Sequence, residues 1–331
     1  MPSIRRPAQQ ARRDLAQAKY AKQMRRLAAG FAALVAVATA GRAAAAPPRP
    51  VSALAALVIA DDARKAVAIG PGGEVYEPDG KGAWVHRLPS RTADQLTCAS
   101  RAGTAIVAAG NGAIYRLAGN GWSAIRLVQH GKAILGTGRR ALAAAGRQLF
   151  ALDPLVRGEP TKLALAPAPI VAIAAGTRAI VVATEAAVYR IDRPGGPLIA
   201  LTAAPRRARL VSDRWALVDR GALDLTTQQV TPWPSGLAIG VTSIAPDGAL
   251  VAIGATHAGL ELVTLRAGAL TRDPLGATGA AVGVVVDRAG RATVALADGR
   301  IAVRGPAGWT MTEVTAAPAG EHPGAPPAAS D

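Results

Sequence analysis

The side chains of this chain that could do chemistry are few. The four histidines are His86, His130, His257 and His322, far apart and in no H-x-H or H-E-x-x-H spacing, so no local pair is offered to a metal. A Ser-His-Asp triad can assemble in space from distant residues, but no G-x-S-x-G nucleophile elbow occurs. Cys98 is the single cysteine, which leaves no disulfide within the chain and no cysteine-based zinc site. It lies in "QLTCAS", which reads as a buried strand. The glycine runs "GPGGE" at 70–74 and "GNG" at 110–112 open no helix, so they read as hairpin turns and not as phosphate loops. Asp-Gly at 79–80, 247–248 and 298–299 reads the same way. No catalytic residue, metal ligand, cofactor-binding residue or cofactor is expected.

One stretch stands apart. "APRRARLVSDRWALVDRG", 204–221, crowds arginines around a tryptophan, and both types are favoured where proteins meet. "TPWPS" at 231–235 sets a second tryptophan in a rigid turn. The candidate partner-binding residues are therefore Arg206, Arg207, Arg209, Arg214, Trp215 and Trp233. The competing reading of 204–221 is a degenerate structural unit with arginines in its turn.

Net charge is +16, but its location decides its meaning. Arg5, Arg6, Arg12, Arg13, Lys19, Lys22, Arg25 and Arg26 face only Asp14 in the first forty residues, and beyond them the excess falls to +9. The other arginines are scattered over turns and strand ends, as on a solvated surface, so no nucleic-acid partner is expected.

Residues 27–40, "LAAGFAALVAVATA", carry no charge and follow Arg25-Arg26 directly. A basic flank, an apolar stretch and a small-residue exit at Ala38-Thr39-Ala40 or Ala43-Ala44-Ala45 describe an export signal. An uncleaved anchor over 27–46 is the alternative, and both Sec and twin-arginine export stay open. Either way the remainder is placed outside the cytoplasm, periplasmic or extracellular, or held at the inner membrane by that anchor. Membrane contact is expected only through 27–46.

The elements that must position the chemistry come from a repeat. "GGEVYEPDGKGAWVHRL", "GAIYRLAGNGWSAIRL", "RQLFALDPLVRGEPTKLAL", "AAVYRIDRPGGPLIAL", "GALDLTTQQVTPWP", "GLELVTLRAGALTRDP" and "GRIAVRGPAGWTMTEV" share one pattern. Their first apolar positions are Val75, Ile114, Leu149, Val188, Leu223, Leu260 and Ile301, 35–41 residues apart. Two more apolar runs precede each copy, all too short for a helix and separated by turn residues. Aromatics make up only 3% of the chain while half of it is hydrophobic, so the core is built from Ala, Val, Leu and Ile. Four short antiparallel strands per repeat, packed face to face, describe a propeller blade.

The pattern G-x-[VIL]-Y-x before a glycine turn and a tryptophan, with "DGKGAW" at 79–84, "GNGW" at 119–122 and "PAGW" at 306–309, resembles the seven-bladed propellers of the WD40/YVTN and sialidase-like, Asp-box class, including Ycf48-type factors. The expectation is an all-β, seven-bladed β-propeller of four-stranded antiparallel blades after an N-terminal helical signal or anchor segment. Its parts would be a signal or anchor at 1–46, a linker at 47–51, the propeller at 52–315 and a disordered tail at 316–331. Ring closure is open: each repeat supplies its own four strands, yet "SALAALVIA" at 52–60 could pair with the last blade.

The function expected is that of an exported, bacterial, monomeric and non-catalytic module that binds another envelope protein as a scaffold. One alternative is a hydrolase or lyase with its site at the central channel. The other is a glycan or small-ligand binder using Trp84, Trp122 and Trp309 as stacking platforms.

Overall fold

The computed structural model describes residues 49–316 except 61–64, 89–91, 93–94, 103–104, 111–112, 119–120, 126–132, 139–140, 157–158, 177–178 and 202–208. The expected signal or anchor at 1–46 and the tail beyond Ala316 lie outside the described residues. Arg49–Ala317 forms one compact unit.

Every described element is a strand or a turn. A short β1 (Arg49–Pro50) precedes the first repeat, β2 (Ala56–Ala60), β3 (Lys65–Ile69), β4 (Val75–Pro78) and β5 (Trp84–Leu88). The second repeat is β6 (Cys98–Ala102), β7 (Ala105–Ala109), β8 (Ile114–Ala118) and β9 (Gly121–Ile125). The third begins with β10 (Ala133–Leu135) and the short β11 (Thr137–Gly138), then β12 (Leu142–Ala145), β13 (Gln148–Val156) and β14 (Glu159–Leu165). The fourth is β15 (Ile170–Ala175), β16 (Ile180–Thr184), β17 (Val188–Ile191) and β18 (Ile199–Leu201). The fifth is β19 (Arg209–Leu210), β20 (Trp215–Val218), β21 (Gly221–Asp224) and β22 (Gln229–Pro232). The sixth is β23 (Ala238–Ile244), β24 (Leu250–Thr256), β25 (Gly259–Arg266) and β26 (Ala269–Pro274). The last is β27 (Ala281–Val286), β28 (Ala292–Leu296), β29 (Arg300–Gly305) and β30 (Gly308–Ala316).

Each repeat is an antiparallel meander, and its turns follow from local chemistry. The β25–β26 hairpin turns through Ala267 at φ 48° and Gly268 at φ 83°, between the paired residues Arg266 and Ala269. Two consecutive positive φ values match the right-handed twist of the flanking strands. The seven apolar positions that define the repeat, Val75 through Ile301, all fall on third strands, and none is more than 5% exposed.

Separate blade-sized sheets number five, not the seven expected. Repeats two to six each form one; the fourth has a fifth strand because β11 pairs parallel to β15. The first and last repeats instead fuse into a nine-stranded sheet. The physical reason lies at their outer strands. β30 pairs parallel to β5 through Val314 with Trp84 and Thr315 with Val85. β1 adds antiparallel to the far end of β30, Arg49 opposite Ala316. Part of the stretch expected as linker is thus paired, and Val51 N–H donates to Val314 O at 2.8 Å. This leg passes so close to the β28–β29 turn that a Cβ on Gly299, itself at φ 90°, would collide with Val51 O.

The core is distributed between the repeats. Leu142 and Leu149 of the third pack on Ile173 and Ile180 of the fourth, and Leu217 of the fifth on Leu250 of the sixth. Leu57, Tyr76 and Trp84 of the first repeat pack on Val285, Ile301 and Val314 of the last. Among the described residues there are seven such clusters, one at each junction between successive repeats and one between last and first. Each fully buried Leu, Ile or Val in them contributes about 1.5–3 kcal/mol relative to exposure. Small Ala and Gly set the spacing: a Cβ on Gly283 would lie 2.6 Å from the Leu57 Cβ, so the two inner strands could not approach as they do.

Candidate functional site

First strands line the axis. A channel of about 840 Å³ is walled by β2, β6, β19, β23 and β27 and by Pro246 and Arg288 in the following turns. Its walls are mostly Ala, Val, Leu and Ile, since these strands also serve the junction clusters. The polar residues among its lining are Thr97, Cys98, Ser100, Thr242, Ser243, Arg209 and Arg288. Among its described lining residues there is no carboxylate and no histidine. Among the described residues as a whole, no group of three His, Cys, Asp or Glu could hold a metal.

Cys98 corrects the sequence expectation. It does lie on a strand, β6, but the residue is exposed because β6 is an inner strand whose residues line the channel. The confined surroundings push the thiol pKa up, opposed by hydrogen bonding to Thr97 and the Ala109 backbone. The group is thus held as a thiol, not as the reactive thiolate.

Of the six candidate partner-binding residues, the four described ones stand on two ring faces. Arg206 and Arg207 lie outside the described residues. In a meander, the turns after first and third strands share one ring face, and the other connections share the opposite face. Arg214, in the turn after β19, belongs to the first face. Its Nε and Nη2 each lie 2.9 Å from Asp224 Oδ2, and its guanidinium sits 4.9 Å from the centroid of the Trp215 ring. Asp224 is 6% exposed and its Oδ1 accepts from the Thr226 and Thr227 N–H groups. Trp215 is 3% exposed and donates Nε1–H to Gly248 O across the junction with the sixth repeat. These three residues hold the fifth repeat together, and only Arg214 is presented outward.

Arg209 and Trp233 belong to the opposite face. Trp233 N–H donates to Arg220 O in the β20–β21 turn at 2.9 Å, and its side chain is half-buried on the fifth–sixth junction. Arg209 opens β19 at the channel mouth and donates from Nη2 to Gly240 O of β23 at 2.5 Å. Burial lowers its pKa, and no described carboxylate offsets its charge.

The three repeat-position tryptophans share a fourth strand and differ in role. Trp84 is 3% exposed. Trp122 donates Nε1–H to Gly73 O of the first repeat at 2.7 Å. Trp309 packs on the sixth–seventh cluster with its Nε1 buried and unbonded among the described residues. Tyr76, Tyr115 and Tyr189 recur on third strands and pack into clusters as well.

No family model and no curated protein matches the sequence. Solved structures do. The chain is similar to the WD40 β-propeller domain of Doa1, with TM-score 0.56 and 13% identity over 80% of this chain and 95% of that one. It is similar to YCF48 from Cyanidioschyzon merolae, with TM-score 0.52 and 15% identity over 81% and 97%. U3-55K gives TM-score 0.53 and 12% identity over 74% and 88%. The fold is a β-propeller. At these identities the likeness extends to architecture alone, and one architecture serves many functions.

The channel polar set went unassigned in the sequence. Its signal was weak but present: stepping back two strands from each G-x-[VIL] unit reaches the inner strand, where Thr97–Ser100 and Thr242–Ser243 supply the hydroxyls.

Proposed function

We propose that this chain is an exported, non-catalytic β-propeller that docks another cell-envelope protein on one face of the ring. The docking face is the one carrying Arg209, Trp233 and both ends of the 202–208 segment that contains Arg206 and Arg207. The observation that carries this reading is that Arg209 and Trp233 share that face, whereas Arg214 stands on the other and is engaged with Asp224. Arginine and tryptophan anchors are the usual carriers of interface energy. The nine-stranded sheet counts, in this reading, as two blades joined at their rims, which makes a ring of seven units; the seven junction clusters support that count.

The test is in-cell photo-crosslinking from two positions in the full-length protein, Trp233 and Arg214, followed by mass spectrometry. One dominant envelope protein crosslinked from position 233 and absent from position 214 is the expected result. Equal labelling from both faces, or none from 233, would discard the assignment.

A further inference from the structure

The channel holds a feature that protein docking on a ring face does not use. Eight described arginines form ion pairs: Arg87, Arg190, Arg214, Arg266, Arg272, Arg291, Arg300 and Arg304. Arg209 and Arg288 line the channel, and among the described residues neither has a carboxylate partner. They stand at opposite mouths, since Arg209 begins an inner strand and Arg288 follows the end of one. Both are exposed residues, and Arg209 is the one held by a hydrogen bond. Its single described side-chain partner is the Gly240 carbonyl, and partial burial disfavours its charged form. Exposed at the mouth, with a carbonyl as its one described side-chain partner, the guanidinium keeps a charge that an incoming anion can meet.

Around that charge the wall is apolar, with Ala56, Leu57, Leu210, Val241 and Val282 among its residues. Ser100, Thr242 and Ser243 are also among the lining residues, and their hydroxyls make no side-chain hydrogen bond among the described residues. A concave, mostly apolar cavity of several hundred Å³ with a few unengaged polar groups is the usual form of a small-molecule site. The sign of the charge selects the ligand's head, and the wall selects its body.

We propose that the Arg209 mouth of the channel binds an apolar organic anion, its carboxylate on the Arg209 guanidinium and its hydrocarbon against the inner strands. Specificity then has two parts. An equally long neutral molecule keeps the wall contacts and loses the guanidinium; a cation of the same length is repelled. An inorganic anion keeps the head contact and loses the wall.

The experiment uses the purified full-length protein and three probes of one chain length: octanoate, 1-octanol and octylammonium. Calorimetry is expected to show octanoate binding at least tenfold more tightly than octanol, with no binding of octylammonium. Arg209→Gln is expected to weaken octanoate at least tenfold and leave octanol unchanged; Arg209→Lys recovers part of the loss, and Arg288→Gln changes it less than twofold. Cys98, the only thiol, lines the same cavity, so saturating octanoate is expected to slow its alkylation by iodoacetamide in the wild type and not in Arg209→Gln. Circular dichroism and melting verify that each variant folds, and the Cys98 protection on the wild type stands whether or not they do. Equal affinity for octanoate and octanol, octanoate binding untouched by Arg209→Gln, or binding without Cys98 protection would each overturn the site. So would tight binding of poly-glutamate with none of octanoate, which would instead place an acidic protein segment at this mouth. The outcome is separable from ring-face docking, because the crosslinks from Trp233 do not depend on the channel being occupied.

Discussion

Arginines on the rim and arginines in the channel live under different rules. Elsewhere each of the eight paired arginines meets an acid in its own strand or turn, on a neighbouring strand or across a repeat junction, as Arg272 meets Glu261 and Arg291 meets Asp287. In the channel Arg209 and Arg288 meet none among the described residues. Both sets come from the same scattered basic composition, so sequence gives them equal standing. Topology separates them. The paired arginines lie beside acids of the same turn, of a neighbouring strand or, for Arg304, of the preceding repeat, whereas first strands converge on an axis where most lining residues are apolar or hydroxylic. The rim charges are therefore engaged in structure, and the channel charges are left for something else.

The sharpest way to break this contrast is at its most buried rim member. Asp224→Ala removes the acceptor for Arg214 and for two backbone N–H groups in a residue that is 6% exposed. A loss of about 2–3 kcal/mol is expected, because the N–H groups stay behind unsatisfied while Arg214 can turn to solvent. Urea unfolding of the wild type and the variant reads it. A loss under about 0.5 kcal/mol would mean that the rim pairs are as dispensable as the channel arginines.

Arg304 and Asp273 test a half-exposed member. Arg304 Nε lies 2.6 Å from Asp273 Oδ2 and ties β29 to β26 across a repeat junction. A double-mutant cycle with Arg304→Ala and Asp273→Ala is expected to give a coupling of about 0.5–1 kcal/mol, falling in 1 M salt. No coupling would show that the contact is only packing.

A third measurement uses pH. Hydrogen bonding to Arg300 holds the Asp298 carboxyl below its ordinary value. A depressed carboxylate binds fewer protons in the folded state than in the unfolded one. Its stabilisation is therefore present above the unfolded pKa near 3.8 and is lost as pH falls through the folded value. Arg300→Gln is expected to lower stability slightly at neutral pH and to converge on wild type as pH falls through the folded value, which flattens the acid limb of the stability curve below about pH 4. An acid limb identical to wild type would remove this pair from the engaged set.

What could be read in advance followed from period, and what could not followed from long-range pairing. Val75, Ile114, Leu149, Val188, Leu223, Leu260 and Ile301 were legible as one recurring position because strand order and turn spacing are local, and each lies on a third strand. The Asp79-Gly80, Asp247-Gly248 and Asp298-Gly299 turns were legible for the same reason. The fusion of β5 with β30 was not, since it joins Trp84 to Val314 and no local pattern records such a partner. The exposure of Cys98 is not legible, because an inner strand that lines the channel has the same apolar composition as a buried one. The placement of Arg209 and Arg214 on different ring faces was not legible either, since closeness in sequence does not record which end of a short strand a residue occupies.

The smallest effect is the most discriminating. Arg209→Leu removes the hydrogen bond to Gly240 O and the charge of an exposed residue with no described counter-ion. The two changes oppose one another. The lost bond is worth about 1 kcal/mol at most where water can reach the freed carbonyl, and the relieved desolvation together with the added apolar surface offsets it. Stability is expected to stay within about 0.5 kcal/mol of wild type, a shift of no more than roughly 1–2 °C in melting temperature for a domain of this size. A rim-like loss of about 2 kcal/mol would make Arg209 a structural strut between β19 and β23. A near-neutral result, beside the loss at Asp224, would show that the fold does not need the charge it keeps at the channel mouth.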